Sequence, residues 1–316
     1  MILYPDIRPY NKHCLRCDDL HEIAIEESGN RFGIPVLVLH GGPGGACSPL
    51  HRRFFNPEKY RIILFDQRGS GKSLPYGELR ANHTQALMQD IETIRKHLAI
   101  DKCVLFGGSW GATLALLYAQ KYPQHVLGMI LRGVFLARKQ DLDWLYKEGA
   151  NKFFPDAWAE FIKPISKNER DDLIAAYYRR LTGPDDLARL AAARTWAVWE
   201  AHCSTLRPSR AIIDQYLDAR NAICLARIES HYFMNDCFIA ENQILQNMSH
   251  LENTPGVIIH GRYDMVCPLE SAYCLHQHWP GSELNIIRDA GHSSTEHGIV
   301  DALVRACDDY AQRFSH

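Results

Sequence analysis

Cys103-Val104-Leu105-Phe106-Gly107-Gly108-Ser109-Trp110-Gly111-Ala112-Thr113-Leu114-Ala115-Leu116-Leu117 is the stretch that decides the fold. Four apolar residues of strand character run into Gly-x-Ser-x-Gly, and a run of helix formers to Lys121 follows. Strand, tight turn and helix in that order form a nucleophile elbow, with the serine at the apex of a strained backbone. The flanking glycines let the two chain segments pass each other. The pentapeptide alone recurs by chance. Its strand-and-helix context carries the weight.

Working outward, the same grammar repeats. Glu22–Glu26 alternates in polarity and reads as a strand. Val36–Leu39 and Ile62–Phe65 are short continuous apolar runs, as strands covered on both faces should be. Leu87, Ile91, Ile94 and Leu98 recur at threes and fours, which predicts an amphipathic helix over Gln85–Leu98. Leu127–Leu131 is a further strand. From about Lys139 to Asn247 the strand pattern stops, and helix formers, aromatics and charges take over, with helices expected over Leu187–Trp199 and Ile212–Phe233. Strands return at Gly256–His260 and Leu284–Ile287, followed by helical stretches at Leu269–His278 and Gly298–Phe314. The expected architecture is α/β: a mostly parallel central sheet with helices on both faces, interrupted by an all-helical cap. The boundaries drawn are 1–136 and 240–316 for the catalytic domain and 137–239 for the cap.

Composition narrows the function classes. The 316 residues carry 35 basic and 37 acidic side chains, a balance that gives no long-range attraction to nucleic acid or an anionic membrane. No apolar run approaches the roughly 18 residues of a membrane span. Met1–Asp6 lacks a basic segment followed by an apolar one, so a cytoplasmic location is expected. The ten cysteines are scattered and read as free thiols. Cys14 and Cys17 have zinc-ligand spacing but no second close pair, so no metal and no cofactor is expected. Gly69-Ser70-Gly71-Lys72-Ser73 ends like a phosphate-binding loop, but Asp66 stands where that motif needs its first glycine.

A serine hydroxyl is a poor nucleophile without a base, and the base needs a carboxylate to orient it. In elbow folds the chain order is serine, acid, histidine. The two late strands end in Gly261-Arg262-Tyr263-Asp264 and Arg288-Asp289-Ala290-Gly291-His292, which supplies Asp264 and His292 in that order. His40-Gly41-Gly42-Pro43-Gly44-Gly45 follows an early strand and reads as an oxyanion loop. The amides of Gly42 and Trp110 are the expected donors. Glu200 and Glu229 sit among aromatic residues in the helical insertion. Periodicity alone makes them ordinary helix glutamates, and their charge would attract a substrate ammonium only if both face the cleft.

Taken together, His40–Gly45, Asp66–Ser73, Gly107–Gly111, Trp199-Glu200, Arg227–Phe233 and Gly261–Asp264 resemble the proline iminopeptidase family of α/β-hydrolase serine peptidases. The resemblance spans almost the whole chain, and Lys72 departs from the arginine frequent there. It implies release of proline from peptides with a free N-terminal proline, with Glu200 and Glu229 binding the terminal amino group. It also implies a proline pocket with Phe135, Tyr146 and Cys267. The alternatives are an esterase or a broader small-residue aminopeptidase on the same fold, and a non-catalytic binding protein.

Overall fold

The computed structural model describes residues 3–207 and 210–314, so Met1 and Ile2 of the opening stretch lie outside it. Strands β1 (Asn11–Arg16), β2 (Glu22–Gly29), β3 (Ile34–Leu39) and β4 (Tyr60–Phe65) lead into helix α1 (Thr84–His97). Strand β5 (Cys103–Ser109), helix α2 (Trp110–Lys121) and strand β6 (Val126–Val134) follow. A helical insertion comes next: α3 (Lys139–Tyr146), α4 (Pro155–Ile162), α5 (Leu173–Thr182), α6 (Asp186–Cys203), α7 (Arg210–Tyr216), α8 (Ala219–Met234) and the short α9 (Gln243–Gln246). The chain then returns with β7 (Gly256–Gly261), α10 (Leu269–Gln277), β8 (Ser282–Ile287) and α11 (His297–Phe314).

The strands form one sheet in the order β1-β2-β4-β3-β5-β6-β7-β8. The β1/β2 and β2/β4 pairs are antiparallel and the rest parallel. Alternation of side chains distributes each apolar run between two cores. Leu37, Leu39, Ile63, Phe65 and Leu105 face the core shared with α1, α2 and the insertion. Val36, Val38, Ile62, Leu64, Val104 and Phe106 face the opposite core, which α11 covers through Ile299, Leu303, Val304 and Cys307. Both faces are dry, which is why these strands are apolar at consecutive positions. Helix α2 is buried along almost its whole length, matching its apolar sequence on every side.

Two local expectations need correction. Strand β1 gives no sequence signal, because at the sheet edge its residues are mostly exposed and mostly polar. The continuous helix over Ile212–Phe233 is instead two helices. Asp218 interrupts it as the N-cap of α8, its side chain accepting the Asn221 amide at 3.0 Å.

Parallel strands end on the same edge. Leu39, Phe65, Ser109, Val134, Gly261 and Ile287 therefore bring their following loops together, and a cleft forms outside the carboxyl ends of such a sheet.

Candidate active site

Ser109 closes β5 and opens α2 with φ +57° and ψ −125°, a conformation costly for a residue bearing a Cβ. Close packing holds it there. A Cβ on Gly107 would lie 2.3 Å from the Gly111 carbonyl oxygen, and one on Gly111 would lie 2.0 Å from that of Leu39. Neither position tolerates a side chain. Ser109 lines a cavity of about 500 Å³ together with Gly41, Gly42, His292, Glu200, Glu229, Phe135, Tyr146 and Cys267.

Asp264 and His292, from the loops after β7 and β8, meet at the edge of this cavity. His292 Nδ1 is 2.7 Å from Asp264 Oδ2. The other carboxylate oxygen accepts the Val266 and Cys267 amides at 3.0 and 2.8 Å. Burial opposes the charge on Asp264. The charge and hydrogen bond of His292, with His260 and the Cys267 amide, outweigh it and hold the carboxyl below its ordinary value.

Several supporting residues escaped sequence reasoning. His260, fully buried at the end of β7, has Nε2 3.5 Å from Asp264 Oδ2. Its Nδ1 accepts the Val134 amide at 3.2 Å, so Nε2 carries the proton and donates to the Cys267 carbonyl at 2.8 Å. Burial lowers its pKa, consistent with a neutral ring. Arg132 donates from Nη1 to the His292 carbonyl at 2.7 Å. Gly133 has φ +54°, and a Cβ there would lie 2.8 Å from His292 Cε1 and 2.9 Å from its Nδ1. The His292 and Ser293 amides both donate to the Ser204 carbonyl, at 3.1 and 2.8 Å. Ser204 ends α6, the helix that carries Glu200, and its hydroxyl donates to the Glu200 carbonyl at 2.7 Å. Arg132 and Gly133 lie near the end of β6, beyond the apolar run Leu127–Leu131, and like the others they have meaning only through distant contacts.

The His40–Gly45 loop lines the same cavity. Gly42 has φ +112°, and the Gly45 amide donates to the Gly41 carbonyl at 3.2 Å. Trp110 presents its backbone amide at the first turn of α2, where helix amides lack intrahelical partners. Its side chain is fully buried below the cavity.

Helices α6 and α8 of the insertion bring Glu200 and Glu229 to one wall. They are 7% and 3% exposed, and among the described residues neither forms an ion pair with Lys, Arg or His. Tyr146 donates to Glu200 Oε1 at 2.5 Å and the Trp196 indole to Glu229 Oε2 at 2.7 Å. With both carboxyls buried on one wall, each makes the charged form of the other costlier. Burial raises the pKa of both. The charge of Glu200 lifts Glu229 further, well above the usual range. Tyr146 stacks on Trp196 at 4.5 Å, and Phe135 packs edge-to-face on Phe233 at 6.0 Å, giving the same wall apolar surface. Cys267 adds a buried thiol whose pKa burial pushes well up. The structure thus brings every residue expected at the site to one cavity or, for Asp264 and Trp110, directly against it.

Residues 34–298 match the family described as the alpha/beta hydrolase fold. A probable proline iminopeptidase of Leptolyngbya boryana is 50% identical, over 97% of this chain and 96% of its own length. The proline iminopeptidase of Xanthomonas citri is 49% identical over 98% and 99%, and that of Arabidopsis thaliana 47% over 96% and 80%. Among solved structures, an esterase from Exiguobacterium antarcticum superposes with a TM-score of 0.66 over 92% of this chain and 96% of its own, at 20% identity. At that identity the likeness is one of fold.

Proposed function

The chain belongs to the proline iminopeptidase family of α/β hydrolases, and on that premise we propose that it is a serine exopeptidase releasing N-terminal proline from peptides. The observation that carries the substrate assignment is the Glu200–Glu229 pair: two buried carboxyls with no Lys, Arg or His ion pair among the described residues, facing the same cavity as Ser109 and His292. A protonated N-terminal imino group is the cation that suits them, through charge-assisted hydrogen bonds. The proline ring lies against Phe135, Tyr146 and Cys267.

In the reaction, His292 Nε2 takes the Ser109 proton while Asp264 holds Nδ1. Ser109 Oγ attacks the prolyl carbonyl carbon. The Gly42 and Trp110 amides bind the oxyanion that develops. His292 then protonates the departing amine as the peptide bond breaks. Water, deprotonated by the same histidine, cleaves the acyl ester and frees proline. No metal or cofactor enters this scheme.

The insertion, assigned as a cap over 137–239, places Glu200 and Glu229 where a longer N-terminal chain would run. This accounts for exopeptidase action. The test is a panel of prolyl amides with matched N-acetyl controls. Free prolyl amides are cleaved and acetylated ones are not, and Ser109→Ala abolishes turnover. Equal cleavage of the two series would overturn the exopeptidase assignment. Good turnover of simple esters with little loss in Glu200→Gln would favour an esterase.

A further inference from the structure

Gln67, in the loop after β4, stands between the two proposed sources of oxyanion donors and touches both. Its side chain is 3% exposed. Its Nε2 donates to the His40 carbonyl at 2.9 Å, at the root of the His40–Gly45 loop. Its Oε1 accepts the Trp110 indole N–H at 2.9 Å, at the start of α2. Its own backbone amide donates to His40 Nε2 at 2.9 Å. That bond leaves the His40 proton on Nδ1, which lies 2.9 Å from the Gly41 carbonyl. One residue therefore fixes the His40 backbone, the His40 tautomer and the Trp110 side chain.

The chemistry of the bridge selects the residue type. An indole N–H can only donate and a carbonyl can only accept. A side chain joining them must offer one acceptor and one donor at fixed separation. A primary amide does so without charge. A carboxylate would set an oxygen against the His40 carbonyl oxygen, and a hydrocarbon would leave both buried groups unpaired.

We propose that Gln67 is a positioning residue for the oxyanion hole: it sets the separation between the Gly42 and Trp110 amides without touching substrate. The inference rests on the oxyanion roles given above. Its effect falls on the transition state, because the amides meet full charge only there. Loss of one oxyanion donor costs on the order of 10²–10³-fold in kcat, and a displacement of about 1 Å on the order of 10²-fold.

The test compares wild type with Gln67→Leu and Gln67→Glu. Two ligands are titrated: a prolyl boronic acid, whose tetrahedral adduct uses the hole, and prolinamide, which occupies the ground-state site. In the variants boronate affinity and kcat fall by on the order of 10²-fold, while prolinamide affinity changes less than about threefold. Gln67→Glu adds a signature of its own. Its protonated carboxyl restores one donor and one acceptor, so the variant-to-wild-type ratio of kcat rises as pH falls. Equal loss of boronate and prolinamide affinity, or a Gln67→Glu ratio flat with pH, overturns the inference. Should Gln67→Leu fail to fold, the near-isosteric glutamate variant decides alone. A wild type that binds boronate no better than prolinamide would instead overturn the oxyanion assignment beneath it.

Discussion

Gly133→Ala tests how His292, the proposed base, is seated. At φ +54° an L-residue is strained by about 1–2 kcal/mol. That lowers the melting temperature by a few degrees at about 2–4 °C per kcal/mol. The second effect is steric. The new Cβ would lie 2.8 Å from His292 Cε1 and 3.3 Å from Asp264 Oδ2. Ordinary carbon contacts begin near ~3.5 Å, so the imidazole must retreat by about 0.7 Å. The ring is tethered by the 2.7 Å bond to Asp264 and its backbone by the bonds to Ser204 and Arg132, and retreat misaligns it with Ser109. A displacement of about 1 Å costs on the order of 10²-fold, so kcat should fall about 10- to 100-fold with KM little changed. Gly77→Ala is the matched control. Gly77 has φ +68°, but a Cβ there meets only Arg227 Cδ, at 3.9 Å. It carries the same backbone cost without the collision. Steady-state kinetics on prolyl-naphthylamide and thermal melts of both variants separate the two effects. If the variants lose stability alike and kcat alike, the seating argument is wrong.

Glu229→Gln should raise KM for prolyl substrates about 10- to 100-fold, the range of a lost hydrogen bond to a charged group, with a smaller effect on kcat; a rise in KM below about twofold would remove Glu229 from amine recognition. Binding of pyrrolidinium to the Ser109→Ala protein should release a proton, because burial raises both carboxyl pKa values and the cation favours the charged forms. Affinity should therefore rise with pH above the ordinary carboxyl value of 4.5, and calorimetry in buffers of different ionisation enthalpy reads the proton directly. The pair's effect on stability has the opposite sense. Both folded-state pKa values are raised by burial, so the contribution is complete below the unfolded value and is lost as pH rises through the folded one. Wild type minus Glu229→Gln in melting temperature should decline over that interval. Iodoacetamide at mildly alkaline pH should modify exposed Cys14 well before buried Cys267, whose pKa burial raises, as peptide mapping would show.

The sheet, and the placing of Ser109, Asp264 and His292 on loops at one edge of it, were legible because their signals are local. Each is an apolar run followed at once by the reactive residue, and a sheet with both faces covered makes such runs continuous. The edge strand β1 was not legible, since exposed polar residues satisfy the ladder equally well. Glu200 and Glu229 looked like any helix glutamates until resemblance singled them out. Nothing in periodicity says that α6 and α8 turn these two inward, a consequence of packing Trp196, Tyr146 and Phe233 between them. Gln67 lies in a stretch that carries the resemblance and Gly133 in a strand, but neither stretch says what the residue touches. One matters for an indole and a carbonyl on two other segments, the other for an imidazole after the last strand.

The Ser204 carbonyl, taking both the His292 and Ser293 amides, bears on how such enzymes diversify. The helix that carries Glu200 and the loop that carries His292 are stitched into one piece. Substrate preference therefore cannot be retuned by transplanting the insertion of a relative as an independent cassette. A graft that shifts the end of α6 would drag the base away from the serine, and chimeras should retain turnover only when the segment around His292 travels with the donor helices.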